Sequence, residues 1–138
     1  MSLFPALPDE AFLSWHALKD DVEPYIGERA VSLFCYAVSE AAGGAGPAQH
    51  FRRILVDSGD DPDDPVVTET EQLLLHWGRL IATTPHAIPA DVAARVEAAF
   101  SPALRMLLVA FAGQVIAMNL VAIVGGAAIE DEPPGDGR

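Results

Sequence analysis

One cysteine, Cys35, stands in a chain of 138 residues. A disulfide within the chain needs two, as does any site built from paired thiolates, so Cys-x-x-Cys redox pairs and the common zinc sites are excluded. Basic residues are scarce as well: eight Lys and Arg against 20 Asp and Glu leave a formal charge of -12. Nucleic-acid affinity rests on clustered Lys and Arg that release counterions from phosphates, and here only Arg52 and Arg53 are adjacent. No nucleic-acid partner is expected. An alternating strand pattern is absent throughout, and no internal repeat is visible. Met1 to Pro8 carries no Lys or Arg and lacks the long apolar run of a signal peptide, so the expected location is cytoplasmic.

What is present is apolar: 51% of the residues are hydrophobic. At roughly 100 to 200 residues per domain the chain makes one domain, expected over 1–129, with an acidic, Pro-containing tail at 130–138 expected to be disordered. A chain of about 150 residues buries roughly 68 to 70% of its unfolded surface, enough for a core without metal or disulfide.

Pro and Gly divide the sequence into six helical stretches, which makes the expected class all-α. A first helix opens at Asp9 and reaches about Asp20, with Pro24 closing that region. A second runs from about Gly27 to Ala42 and places Val31, Phe34, Cys35, Val38 and Ala42 on one face. The run Gly43-Gly44-Ala45-Gly46-Pro47 breaks it. A third helix, from about Pro47 to Asp57, turns Phe51, Ile54 and Leu55 inward. Thr68-x-x-Glu71 is a capping box opening a fourth helix to about Thr83, with Leu73, Leu74, Trp77, Leu80 and Ile81 inward. Pro89 starts a fifth, with Val92, Val96 and Phe100 inward, and Ser101-Pro102 begins a long sixth that ends at Gly125-Gly126.

Between the third and fourth helices, Asp57, Asp60, Asp61, Asp63 and Asp64 crowd one loop. The alternating ligands, central glycine and closing Glu of a calcium loop are missing, and a solvated turn is the expectation. The segment Met106 to Val124, interrupted only by Gln114 and Asn119, approaches the roughly 20 apolar residues that cross a bilayer. It has no basic flank on its C-terminal side and no aromatic belt. Its expected place is therefore the centre of the domain or a subunit interface rather than a membrane.

The order of these pieces from Val31 to Gly126 resembles the AhpD-like, carboxymuconolactone decarboxylase superfamily of small helical oligomers. In that family a helix leads to a Cys-x-x-Cys-x-x-x-His segment, then come a helix ending in Gly, an Asp/Pro loop, a helix of the form Thr-x-x-Glu-x-x-Leu-Leu, and a last helix carrying an Asn. The matching pieces here are Val31 to His50, Phe51 to Gly59, Asp60 to Pro65, Thr68 to Pro85, Asp91 to Phe100, and Leu104 to Gly126 with Asn119. The resemblance implies an AhpD-like bundle, a homo-oligomer, and alkylhydroperoxidase or peroxiredoxin-type activity.

Counting back from His50, the two cysteine positions of the motif fall on Gly43 and Gly46. The redox-active members use one thiolate to attack a peroxide and the other to resolve the sulfenic acid, and glycine can do neither. The motif's upstream Glu falls on Val31, with the nearest carboxylate, Glu28, one helical turn earlier. Of the proton-relay constellation His50 alone stands in place. The expectation is thus a degenerate active site without conventional peroxidase activity, in a structural or small-ligand-binding protein. The alternative is a cofactor-free decarboxylase or hydrolase with His50 as acid/base.

Other residues carry weaker signals. His50 is also readable as a boundary histidine with a satisfied hydrogen bond, and Cys35, mid-helix on the apolar stripe, reads as an inert buried thiol. His16, His76 and His86 show no metal-ligand spacing, Trp15 and Trp77 read as core anchors, and no cofactor or metal is expected. Gly43-Gly44-Ala45-Gly46 lacks the following lysine of a phosphate loop. Gln114 and Asn119 need polar partners inside an apolar helix, across a subunit interface or in a pocket. Gly113 and Ala117, four apart, allow another helix to approach closely. Self-association is the reading these residues favour, as a homodimer or higher oligomer through the last helix and the adjoining helix that carries Cys35, with a small apolar ligand as a second partner.

Overall fold

The computed structural model of the protein describes residues 9–125. Six helices and no strand are found among the described residues: α1 (Asp9–Ile26), α2 (Glu28–Ala42), α3 (Ala45–Asp57), α4 (Glu69–Thr83), α5 (Ala90–Ala99) and α6 (Pro102–Val124). The tail at 130–138 and the first eight residues lie outside them.

Local chemistry sets the boundaries. Thr68 and Glu71 form the reciprocal capping box that opens α4, at 3.0 and 2.9 Å, and Ser101 caps α6 through the Leu104 N–H at 3.2 Å. Gly43 ends α2 in the left-handed region at φ 84, where a side chain would be strained. Two boundaries differ from the sequence reading. The first helix runs through Pro24 to Ile26, because Pro24 and Asp20 are both exposed and water can replace the donor that proline lacks. The third starts at Ala45, two residues before Pro47, which leaves Pro47 within its first turn, where no intrahelical donor is needed.

The centre of the molecule is α2, not α6. Nine residues from Ala30 to Ser39 are buried, so almost every side of this helix meets protein, and it packs on α1, α3, α4 and α6; the Cys35 helix, expected at a subunit interface, is covered by its own chain instead. It approaches α4 closely at Gly78, where an added Cβ would lie 2.7 Å from the Phe34 ring. Phe34 stacks on Phe111 at 6.0 Å and 14°, and Trp15 also stacks on Phe111, at 6.4 Å. Trp77 packs on Phe100 at 6.3 Å, which fastens α5 to α4. Both tryptophans are therefore core anchors. Ile54, expected inward, is 37% exposed, since α3 buries only the narrow row Pro47, Phe51 and Leu55.

The acidic loop after α3 is more than a solvated turn. Arg29 reaches it from α2, with Nε donating to Asp60 at 2.8 Å and Nη2 to the Val66 carbonyl at 2.6 Å. Arg52 reaches it from α3 by two bonds to Asp63. Two cations thus hold a segment whose own charges repel.

Long and apolar enough to cross a membrane, α6 has only a third of its most apolar window buried inside the molecule. One face, with Leu108, Phe111, Ala112, Val115, Met118 and Asn119, closes the core. The other leaves Met106, Leu120 and Val124 at 68, 54 and 83% exposure.

Candidate functional site

The turn at Gly43 and Gly44 joins α2 to α3, and Gly46 lies in the first turn of α3; Gly43 and Gly46 are the positions on which the sequence resemblance would put cysteine. Gly43 is exposed, at positive φ, while Gly44 is buried. A Cβ on Gly44 would overlap Asn119 Oδ1. Asn119 sits 1% exposed, and its amide donates to Ser39 Oγ at 3.1 Å and to the Val115 carbonyl at 2.7 Å. The Asn119 oxygen is buried without a hydrogen-bond partner, pressed against the glycine backbone. This asparagine therefore finds its partner inside the chain, on α2, and not across an interface. Ser39 escaped the sequence reading; the signal was a hydroxyl one turn after Cys35 on the apolar stripe.

Beside the turn lies an open cleft of about 450 Å³, lined by Tyr36, Glu40, Gly43, Gly44, Arg52 and Asp63 among others. Arg52 organises it. Its guanidinium donates from both terminal nitrogens to Asp63 at 2.8 and 2.7 Å, and from Nη1 to the Tyr36 hydroxyl at 3.1 Å. The hydroxyl in turn donates to Glu40 Oε2 at 3.1 Å. Burial pushes the Tyr36 phenol up from its ordinary value, against the pull of Arg52, while Arg52 holds the Asp63 carboxyl below its usual range. These four residues are polar neighbours of the turn, and none was singled out as a group from the sequence.

His50 stands apart from that cleft. It is half-buried on another side of α3, edge-on to Phe51 with ring centroids 5.3 Å apart. Burial, and next the charge of Arg53, lower its pKa, which favours the neutral imidazole. It is not among the residues that line the cleft beside Gly43.

Cys35 is fully buried. Desolvation drives its thiol far above the ordinary range, outweighing a hydrogen bond from Trp15 and the charge of Lys19. A thiol held protonated away from solvent is a poor nucleophile. His16, His76 and His86 remain on separate elements, and no group of three His, Cys, Asp or Glu that could hold a metal forms among the described residues.

No family model, no curated protein and no solved structure matches the chain.

Proposed function

We propose that the chain is an AhpD-like helical protein without conventional peroxidase activity, working as a homo-oligomeric structural or small-ligand-binding unit that pairs with a second copy through α6. The observation that carries the pairing is the outer face of α6. Met106, Ala110, Gly113, Ala117, Leu120 and Val124 follow one another at steps of three and four and are all exposed, which makes an uncharged helical stripe. Such a contiguous apolar surface marks an interaction site.

The stripe is self-complementary. Turning a second copy end over end about a two-fold axis between Gly113 and Ala117 sets Met106 against Val124 and Ala110 against Leu120. Small residues then lie where the helices cross, and large ones fill the flanks, as an isologous interface requires. A bilayer suits the helix less well. Its inner face is committed to the core through Phe111 and the Asn119–Ser39 bond, and the acidic balance disfavours an anionic membrane surface.

Two features support the loss of peroxidase chemistry: the motif positions are Gly43 and Gly46, and the lone thiol is buried. A second reading, acid/base catalysis by His50 in a decarboxylase or hydrolase, draws on its depressed pKa, which suits proton acceptance near neutral pH.

The tests are direct. Light scattering should give twice the chain mass of 14.6 kDa for the wild type and a monomer for Leu120→Asp; a monomeric wild type refutes the pairing. An organic hydroperoxide with dithiothreitol or dihydrolipoamide should show no turnover above a Cys35→Ser control.

A further inference from the structure

Of the seven Lys and Arg among the described residues, four have an ion-pair or hydrogen-bond partner, and Arg53, Arg79 and Arg95 have none. Lys19 pairs with Glu23 at 3.2 Å, Arg29 with Asp60 and Glu71, and Arg52 with Asp63. Arg105 donates to the Glu97 and Phe100 carbonyls. The guanidiniums of Arg79 and Arg95 make no ion pair or hydrogen bond among the described residues. Yet both line one cleft.

That cleft, about 390 Å³, lies between α4 and α5, with Gln72, Leu73, His76, Arg79 and Arg95 around it. Gln72, His76 and Arg79 stand at steps of four and three on a single face of α4, and Arg95 comes from α5. No carboxylate lines it. Arg95 and Leu73 also border an adjoining groove of about 260 Å³ that contains Glu69, but Glu69 and Arg95 form no ion pair. Two guanidiniums facing one concavity repel each other, a cost that an anion between them reverses. Planar N–H forks suit the oxygens of phosphate or carboxylate, and most strongly when two forks share one ion. The Gln72 amide and the His76 ring add further N–H donors. The volume falls in the range of small-molecule sites and exceeds what a bare ion fills.

We propose that the α4–α5 cleft binds a doubly charged oxyanion of the phosphate class, through Arg79 and Arg95 with His76 and Gln72 as further donors. The site is separate from both the Gly43–Gly46 turn and the outer face of α6, so it stands whether or not the chain pairs. The surrounding acidic field makes binding depend on these local contacts, since the molecule as a whole repels anions.

The experiment is a titration of the full chain with inorganic phosphate and with phenyl phosphate at low ionic strength, read by amide NMR shifts and by calorimetry. Saturable shifts are expected to centre on 72–79 and 95. Tighter binding of phenyl phosphate assigns the cleft to a phosphorylated small molecule, and equal affinity assigns it to the free ion. Arg79→Gln and Arg95→Gln should each weaken binding about tenfold, the loss of one charge-assisted contact, and the double variant should abolish it. Both side chains are exposed and unpaired, so the variants keep the wild-type melting temperature. Arg53→Gln, the same charge change outside the cleft, should bind as the wild type does. Absence of saturation, or an equal loss in Arg53→Gln, overturns the proposal.

Discussion

The two faces of α6 are made of nearly the same amino acids and behave in opposite ways. Inward, Leu108, Phe111, Val115 and Met118 are at most 1% exposed, and Asn119 beside them is locked to Ser39. Outward, Met106, Leu120 and Val124 meet solvent. Apolarity alone does not say which face a helix turns to its own core. The inward face is distinguished by shape and by one polar bond: Phe111 stacks on the rings of both Trp15 and Phe34, and Asn119 fits only beneath a glycine. The outward face instead has small residues, Gly113 and Ala117, exposed at its middle: among the described residues, a Cβ added at Gly113 meets no atom within 4 Å.

The sharpest way to break this comparison is Phe111→Ala. It removes a fully buried ring that stacks on both Trp15 and Phe34 and leaves a cavity, so unfolding free energy should fall by about 3 to 5 kcal/mol in urea denaturation. That loss should not depend on protein concentration. Next in size is Gly44→Ala, which pushes the new methyl into Asn119 Oδ1 and forces the amide off Ser39. A loss of about 1 to 3 kcal/mol is expected, although alanine suits the Gly44 backbone, at φ -85, perfectly well. If Gly44→Ala is neutral, the polar lock on the inner face is not tight.

Leu120→Asp probes the opposite side and should change the stability of the monomer by less than about 0.5 kcal/mol. Its effect is on assembly. A protein that pairs through its folded state melts at a temperature that rises with concentration; the wild type should show that rise and Leu120→Asp should lack it. A substitution on the inner face lowers every melting temperature, whereas one on the outer face flattens their dependence on concentration.

The same comparison explains what the sequence revealed. Periodicity and capping made the six helices legible: Thr68-x-x-Glu71 and Ser101-Pro102 announced their boundaries because caps are local chemistry. The inward residues of α5, Val92, Val96 and Phe100, were legible because a short helix with one apolar face has one choice. For α6 that logic fails, since a helix apolar all round carries no phase: its pattern allows the domain centre or a subunit interface alike, and the structure gives the centre to α2 and only one face of α6 to the core. The polar group Tyr36, Arg52, Asp63 and Glu40 was hidden for another reason. Its members come from α2, α3 and a loop, and only the tertiary turn at Gly43–Gly44 brings them together. The cleft that Arg79 of α4 and Arg95 of α5 both line was hidden in the same way.

His50 belongs to neither face and should give the smallest effect, confined to pH. Its pKa in the folded chain lies below the ordinary 6.5 because burial, and then Arg53, disfavour the charged ring. In the interval between the folded value and 6.5 the unfolded chain holds the extra proton, so stability falls as pH falls through that window. His50→Gln removes this proton and should make stability against pH flatter there than in the wild type, while leaving the steeper loss from carboxylates such as Asp63 at lower pH. Paired urea titrations at successive pH values measure the difference directly. Parallel curves would mean that His50 gains no protection from the fold, and with it would go the neutral imidazole on which the acid/base reading depends.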